Sequence, residues 1–192
     1  MRVHETPLSD KAKLISNSLE LSNLEGVQYA IIENMLSIPA NAFLNCKDLK
    51  KIILPEGLEE IQHDAFNGCK NLEFRLPSSL KFLGMRAFAG VKSNCNLIIP
   101  PMLSNVQIDC FMYTSFNRVV ISEGMHQLGD IFRGAHINKL IIPRSLEYLT
   151  SANIDACDEV VCYADTLIED YCKKYFRRKI SIRGGMPNAE FK

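Results

Sequence analysis

From Met35 onward the apolar residues recur in a fixed order, longer than any helical or strand period. The segment MLSIPANAFLNCKDLKKIILPEG is followed from Leu58 by LEEIQHDAFNGCKNLEFRLPSS and from Leu80 by LKFLGMRAFAGVKSNCNLIIPPM. Each carries an Ala-Phe pair (Phe43, Phe66, Phe88), a small residue three on (Cys46, Cys69, Val91), an apolar alternation and then a proline (Pro55, Pro77, Pro100). Weaker copies start at Leu103, Met125 and Leu146, so six units of 21 to 23 residues cover 35–166. A unit this short cannot bury its own apolar face and must stack on its neighbours to make a continuous core. The pattern predicts a solenoid.

Before each proline the chain alternates, which puts Ile52 and Leu54, Phe74 and Leu76, Leu97 and Ile99, Val119 and Ile121, and Leu140 and Ile142 on one face of a strand. Stacked units turn those strands into a parallel sheet. Proline has no ladder donor, so Pro55, Pro77, Pro100 and Pro143 mark where each strand ends. The return limb, with Leu58, Ile61 and Phe66 inward, fits a short strand or a single helical turn. A raw solenoid end needs a cover. Gly26 to Asn34 alternates as an edge strand, after an amphipathic stretch from Ser9 to Leu24. At the far end Thr166 and Glu169 have capping-box spacing, which predicts a helix from Leu167 to Tyr175 that buries Leu167, Ile168, Tyr171, Cys172 and Tyr175. The expected organisation is an N-terminal cap at 1–34, six repeats at 35–166, a closing helix and strand at 167–183 and a mobile tail at 184–192.

The quoted units resemble the leucine-rich repeats of the BspA-like family, which read as a Leu-x-x-Ile limb, an Ala-Phe pair, a Cys and then Leu-x-x-Ile-x-Leu-Pro. The likeness fades towards Thr166: Ser122 stands for the proline, Thr114 for the cysteine and Ile154 for the phenylalanine. After it, ADTLIEDYCKKYFRRKISI resembles the short helix and final strand that close such arrays. The resemblance implies a right-handed, mainly β solenoid with short helical turns, its parallel sheet on the concave face and its ends capped. It also implies a binding or adhesion role, commonly in surface or secreted proteins of microbes.

Composition narrows the partners. The chain has 192 residues, and its 22 basic residues balance 22 acidic ones. Zero net charge provides no global field for a polyanion, which argues against nucleic acid or anionic membrane as the primary partner. The apolar runs are far shorter than the roughly 20 residues of a membrane-spanning helix, so no membrane insertion is expected. MRVHETPLSDKAKL lacks the apolar core of a secretory signal. That predicts a cytoplasmic protein, or a secreted or surface-exposed one if a leader has been removed. Seven cysteines are too few and too odd in number for a disulfide framework and read as thiols. Cys46 and Cys69 share a repeat position, about one strand spacing of 4.8 Å apart. That geometry permits a disulfide, but a column of small buried residues continued by Val91 and Thr114 is the preferred reading.

Catalytic signatures are missing: the sequence contains no Gly-rich phosphate loop, no Gly-x-Ser-x-Gly elbow and no His-Glu-x-x-His. His4, His63, His126 and His136 are scattered, and Cys157, Cys162 and Cys172 have neither a nearby histidine nor a Cys-x-x-Cys pair. No enzyme activity, cofactor or metal is expected. Lys173 to Lys179 (KKYFRRK) holds five cations in seven residues and suits a helix C-terminus better than an acidic partner. The informative column lies between the inward positions. Ile53, Arg75, Ile98, Val120 and Ile141, then Val161 or Tyr163, must point out of the sheet, beside a polar rim of Lys51, Glu73, Asn96, Arg118 and Lys139. An aliphatic stripe on a sheet face calls for a cover. The expected function is a non-catalytic module that binds a protein of unknown identity through this face. The alternative is a structural subunit or homo-oligomer with the same face permanently covered. A plainer account makes the β-branched residues a strand preference, packed along the ladder.

Overall fold

The computed structural model describes residues 11–21, 24–93 and 95–184. The expected mobile tail beyond Gly184 and the expected cap before residue 11 lie outside the described residues. In chain order the strands are β1 Ala12–Ile15, β2 Tyr29–Ile32, β3 Ser37–Ile38, β4 Lys51–Ile53 and β5 Glu60–Ile61. They continue as β6 Phe82–Leu83, β7 Asn96–Ile99, β8 Asn105–Val106, β9 Ser115–Ile121 and β10 Gln127–Leu128. The last are β11 His136–Ile141, β12 Tyr148–Leu149, β13 Cys157–Tyr163 and β14 Lys179–Arg183. Two α-helices, α1 Ser151–Asp155 and α2 Leu167–Tyr175, interrupt the final units.

All strand pairing is parallel, as stacked units require. On one side β1–β2–β4 form one ladder and β7–β9–β11–β13–β14 another. A single bridge from Lys51 to Glu73 extends the first ladder towards the second. On the return side the strands are only two residues long, in the ladders β3–β5–β6–β8 and β10–β12. The return limb is thus a short strand followed by a turn. Tyr29–Ile32 is a strand but not the edge: β1 pairs outside it. The amphipathic stretch that precedes it in sequence supplies that extra strand.

Between the two sheet systems lies the core. The inward strand residues are buried, apart from half-buried Leu54 and Leu76. Register stacks Leu97, Val119, Leu140 and Val160 into one column. At the turns Phe43, Phe66, Phe88, Phe111 and Phe132 form a continuous stack with centroids 4.9, 4.9, 5.6 and 5.4 Å apart. Each near-parallel pair contributes about 0.5–1.5 kcal/mol beyond its buried area. The turn backbone is stitched coil to coil. Phe43 N–H donates to the Ala65 carbonyl at 2.7 Å, Phe66 to Ala87 at 2.7 Å and Phe88 to Cys110 at 2.8 Å. Two residues before Phe43, Phe66, Phe88 and Phe111 the chain takes a left-handed conformation, at Asn41, Asp64, Arg86 and Asp109. Asn and Asp tolerate it best.

In the sixth unit α1 replaces the turn, and the turn N–H groups of Ile131 and Phe132 in the fifth meet a side chain in place of a backbone carbonyl. Asn153, where earlier units carry Ala65 or Ala87, substitutes a side chain. Its Oδ1 accepts from Ile131 and Phe132 N–H, both at 3.2 Å, and its Nδ2 donates to the Gly129 carbonyl at 2.7 Å. The amide is fully buried and fully used. α2 follows: Thr166 Oγ1 accepts from Glu169 N–H at 3.2 Å, while the Glu169 carboxylate accepts from Asp165 N–H at 2.8 Å. The capping spacing forms, with the return bond one residue earlier than a capping box places it. Of the face expected to be buried, Ile168 and Cys172 are, whereas Leu167 and Tyr175 are exposed.

Candidate functional site

Strand register turns the outward residues into rows. Leu14, Ile31 and Ile53 are paired neighbours across β1, β2 and β4. Arg75 follows in the next unit. Ile98, Val120, Ile141, Val161 and Ser181 then pair across the second ladder. The adjacent row runs Lys51 and Glu73, then Asn96, Arg118, Lys139, Glu159 and Lys179. Tyr163 belongs to a third row, opposite Arg183. The residues singled out from the sequence therefore share one face. Leu14 and Ile31 extend their row beyond the expected start of the array; the alternation of GVQYAIIEN was the signal for Ile31 alone.

Exposure along that row is not uniform, and here the expected open stripe needs correction. Ile53 and Ile98 are 50% and 54% exposed, whereas Val120, Ile141 and Val161 are 6%, 1% and 1% exposed and form a small cluster of their own. Tyr163 is buried too, with the Arg144 guanidinium 4.9 Å from its ring centroid. The row of Arg118, Lys139 and Glu159 flanks the trio on one side, and its alkyl stems can lie over the trio while the charged heads stay in water. The heads are interlocked. Lys139 and Lys179 lie 3.5 and 3.0 Å from Glu159, whose carboxylate also accepts from Ser181 Oγ at 2.7 Å. The Ser181 hydroxyl first, then the two lysines, hold the Glu159 carboxyl down at about 2.

The other end of the face is open. Glu73 N–H donates to the Lys50 carbonyl at 2.7 Å and Ile52 N–H to the Glu73 carbonyl at 3.0 Å. Beyond that bridge, no ladder joins Glu73 to Leu76 with β7 among the described residues. A cleft of about 600 Å³ opens at the interruption, lined by Lys51, Ile53, Glu73, Arg75 and Asn96 among others. Five of the sequence-selected residues thus converge there. The cleft itself was not anticipated. Its signal is spacing: the approach from Cys69 to Glu73 is one residue shorter than those from Cys46 to Lys51 and from Val91 to Asn96, on either side.

The remaining candidates are engaged in the fold. Lys173 pairs with Glu169 at 2.6 Å, Arg178 donates to the Cys157 carbonyl and lies 3.7 Å from Asp158, and Lys179 pairs with Glu159. The cation-rich segment therefore spends these charges holding the chain end. Burial pushes the Cys69 and Cys157 thiols up to about 12. Cys69 Sγ donates to the Phe43 carbonyl at 3.1 Å and Cys157 Sγ to the Asn153 carbonyl at 3.2 Å. Cys172 donates to Cys162, which lowers the Cys162 thiol and raises its own. These are sulfhydryls used as small core donors. No group of three or more metal-ligating side chains occurs among the described residues, and no helix there is long and apolar enough to cross a membrane.

Comparison with known proteins agrees with this architecture. The family model for the BspA type leucine rich repeat region matches residues 27–161 in six copies, and the chain belongs to that family. No curated protein matches the sequence. Among solved structures, the pneumococcal vaccine antigen PcpA is similar at 17% identity and a TM-score of 0.61, over 92% of this chain and 42% of that one. A leucine rich repeat protein of T. pallidum is 18% identical with a TM-score of 0.48, over 90% of this chain and 92% of that one. A leucine rich cell surface protein of Faecalibacterium prausnitzii is 12% identical with a TM-score of 0.47, over 83% and 60%. The chain thus spans less than half the length of the pneumococcal antigen. The fold is a leucine-rich-repeat solenoid.

Proposed function

We propose that this chain is a non-catalytic protein-binding module whose contact surface is the open part of the outward sheet face. Ile53 and Ile98 serve as apolar anchors, and Lys51, Glu73, Arg75 and Asn96 surround them. Arg118, Val120, Lys139, Ile141, Val161 and Tyr163 form the supporting remainder of the face rather than its anchors. The observation that carries this reading is a cleft lined by half-exposed Ile53 at the interruption of the ladder, with half-exposed Ile98 in the outward row of the next strand. Buried apolar anchors supply most interface energy, and rim charges tune orientation and on-rate. The perturbed acids have structural partners, Glu159 with Ser181 and lysines and Glu169 with Lys173, so they call for no catalytic role. Cytoplasmic residence is part of the reading, supported by the odd number of cysteines.

The test is capture of a partner from the native source by the immobilised chain and by an Ile53→Asp, Ile98→Asp double variant. Loss of a saturable partner in the folded variant is expected, and undiminished capture removes this face from consideration. Burial of Val120, Ile141 and Val161 within the chain itself weighs against a permanent cover over the whole stripe, because little apolar area is left to hide. Light scattering separates the two: a monomer fits the binding module, and a stable homo-oligomer that protects Ile53 and Ile98 fits the structural subunit.

A further inference from the structure

Four charged side chains line the cleft, and three of them are matched within the chain. Lys51 lies 4.0 Å from Glu73. Glu56 accepts from the N–H and hydroxyl of Ser78, the latter at 2.8 Å. Arg75, the fourth, has neither an ion pair nor a hydrogen bond among the described residues. Its neighbours along the return side show the contrast: Lys81 is 2.6 Å from Glu59 and Arg86 is 3.0 Å from Asp64. In the outward row Arg75 also stands where every other unit from the first to the sixth has an aliphatic residue, with half-exposed Ile53 before it and Ile98 after it. An exposed guanidinium set between two aliphatic side chains, in a concave site, is a fork for a planar anion with apolar flanks.

The identity of that anion follows from the rest of the lining. Glu56 and Glu73 keep two carboxylates at the same cleft, so a doubly charged phosphate meets repulsion that a single carboxylate meets only half as strongly. A carboxylate also matches the guanidinium in two parallel hydrogen bonds. We propose that the cleft takes a partner's polypeptide segment that presents one carboxylate between aliphatic side chains, the carboxylate on Arg75 and the aliphatic groups on Ile53 and Ile98. This rests on the protein-binding reading and gives that partner its chemistry. Arg75 sets specificity, and the isoleucines set affinity.

The experiment uses the full chain and small probes, with side-chain NMR signals from Arg75 Nε–H and the methyl groups of Ile53 and Ile98. N-acetyl-leucine carries the carboxylate and one aliphatic group, N-acetyl-leucinamide lacks the charge, and inorganic phosphate at equal ionic strength lacks the apolar part. N-acetyl-leucine should shift all three residues saturably, with the amide about tenfold weaker, as one charge-assisted hydrogen-bond pair warrants. Arg75→Gln, at an exposed position, should erase the tenfold preference while leaving the methyl shifts produced by the amide. Equal shifts from acid and amide overturn the carboxylate assignment and leave the apolar face standing. Stronger shifts from phosphate overturn it in favour of a phosphorylated ligand. No shift at any of the three residues removes the cleft as a site, whereas the double-variant capture above decides the face as a whole.

Discussion

Ile53 and Ile141 occupy the same place in their repeats, alternate with aliphatic inward neighbours and point out of the same side of the solenoid, yet one is half exposed and the other has almost no contact with solvent. Around Ile141 the ladder is continuous on both sides, and the flanking row is a chain of long side chains tied through Glu159. Around Ile53 the ladder reaches a single further bridge and then a cleft. Repeat position fixes which way a side chain points. What lies beside it fixes whether water reaches it.

The sharpest way to break that comparison is to place the same charge at both positions. Ile141→Asp buries a carboxylate without a built partner and should cost on the order of 3–5 kcal/mol. Ile53→Asp lands in solvent and should stay within about 1 kcal/mol. Urea unfolding at neutral pH measures both. Similar losses would mean that the trio is open in solution and the two halves of the face are alike.

The C-terminal half also depends on one buried amide that the N-terminal half does without. Asn153→Ala strips partners from Ile131 N–H, Phe132 N–H and the Gly129 carbonyl, which should destabilise by about 2–4 kcal/mol. The exposed Asn138, which donates to Asn117 at 3.1 Å, should tolerate alanine within about 0.5 kcal/mol. Amide exchange localises the difference: protection should fall at Ile131 and Phe132 in the first variant and hold in the second.

The solenoid, the inward pairs, the strand ends at Pro55, Pro100 and Pro143 and the helix from Leu167 to Tyr175 were legible in the sequence, because each depends on local alternation or on a period repeated six times, whereas the strand expected to end at Pro77 is reduced to a single bridge at Glu73. Exposure was not legible. Val120 and Ile53 look alike until the lengths of Arg118 and Lys139 are set beside the one and the gap after Glu73 beside the other, and that comparison crosses coils. Asn153 was hidden for a related reason. A polar residue at an alanine position reads as decay of the repeat, and only the turn N–H groups of the neighbouring coil make it a replacement part. The strand Ala12–Ile15 was obscured because a four-residue strand with one partner carries too little pattern to stand out from an amphipathic stretch.

If alkyl stems cover the trio, the charge at Lys139 matters less than its length. Lys139→Ala should uncover Ile141 and cost about 1 kcal/mol, while Lys139→Met keeps the stem and should lie close to the parent. Binding of an apolar dye reports the same thing independently, rising for the alanine variant alone. Equal behaviour of the two would assign the cover to the Lys139–Glu159 ion pair instead.

The smallest expected effect is electrostatic and belongs only to the closed half. The folded-state pKa of Glu159 is depressed from 4.5 to about 2 by Ser181, Lys179 and Lys139, so the folded state binds its proton less readily than the unfolded chain does. A group shifted down contributes stability that is fully present above the unfolded value and fades as pH falls through the folded one. The window therefore runs from about 4.5 down to about 2. Both lysine heads are substantially exposed to solvent, which screens the pairs and limits the contribution to under about 1 kcal/mol. Glu159→Gln should lower the urea midpoint slightly at pH 6, and the gap to the parent should narrow steadily between pH 4.5 and pH 2. The same gap should shrink in high salt at pH 6, since screening weakens the lysine pairs. A gap that persists unchanged at pH 2 would show that the Glu159 side chain acts through packing against its neighbours, not through its charge, and the closed half of the face would then owe its closure to shape alone.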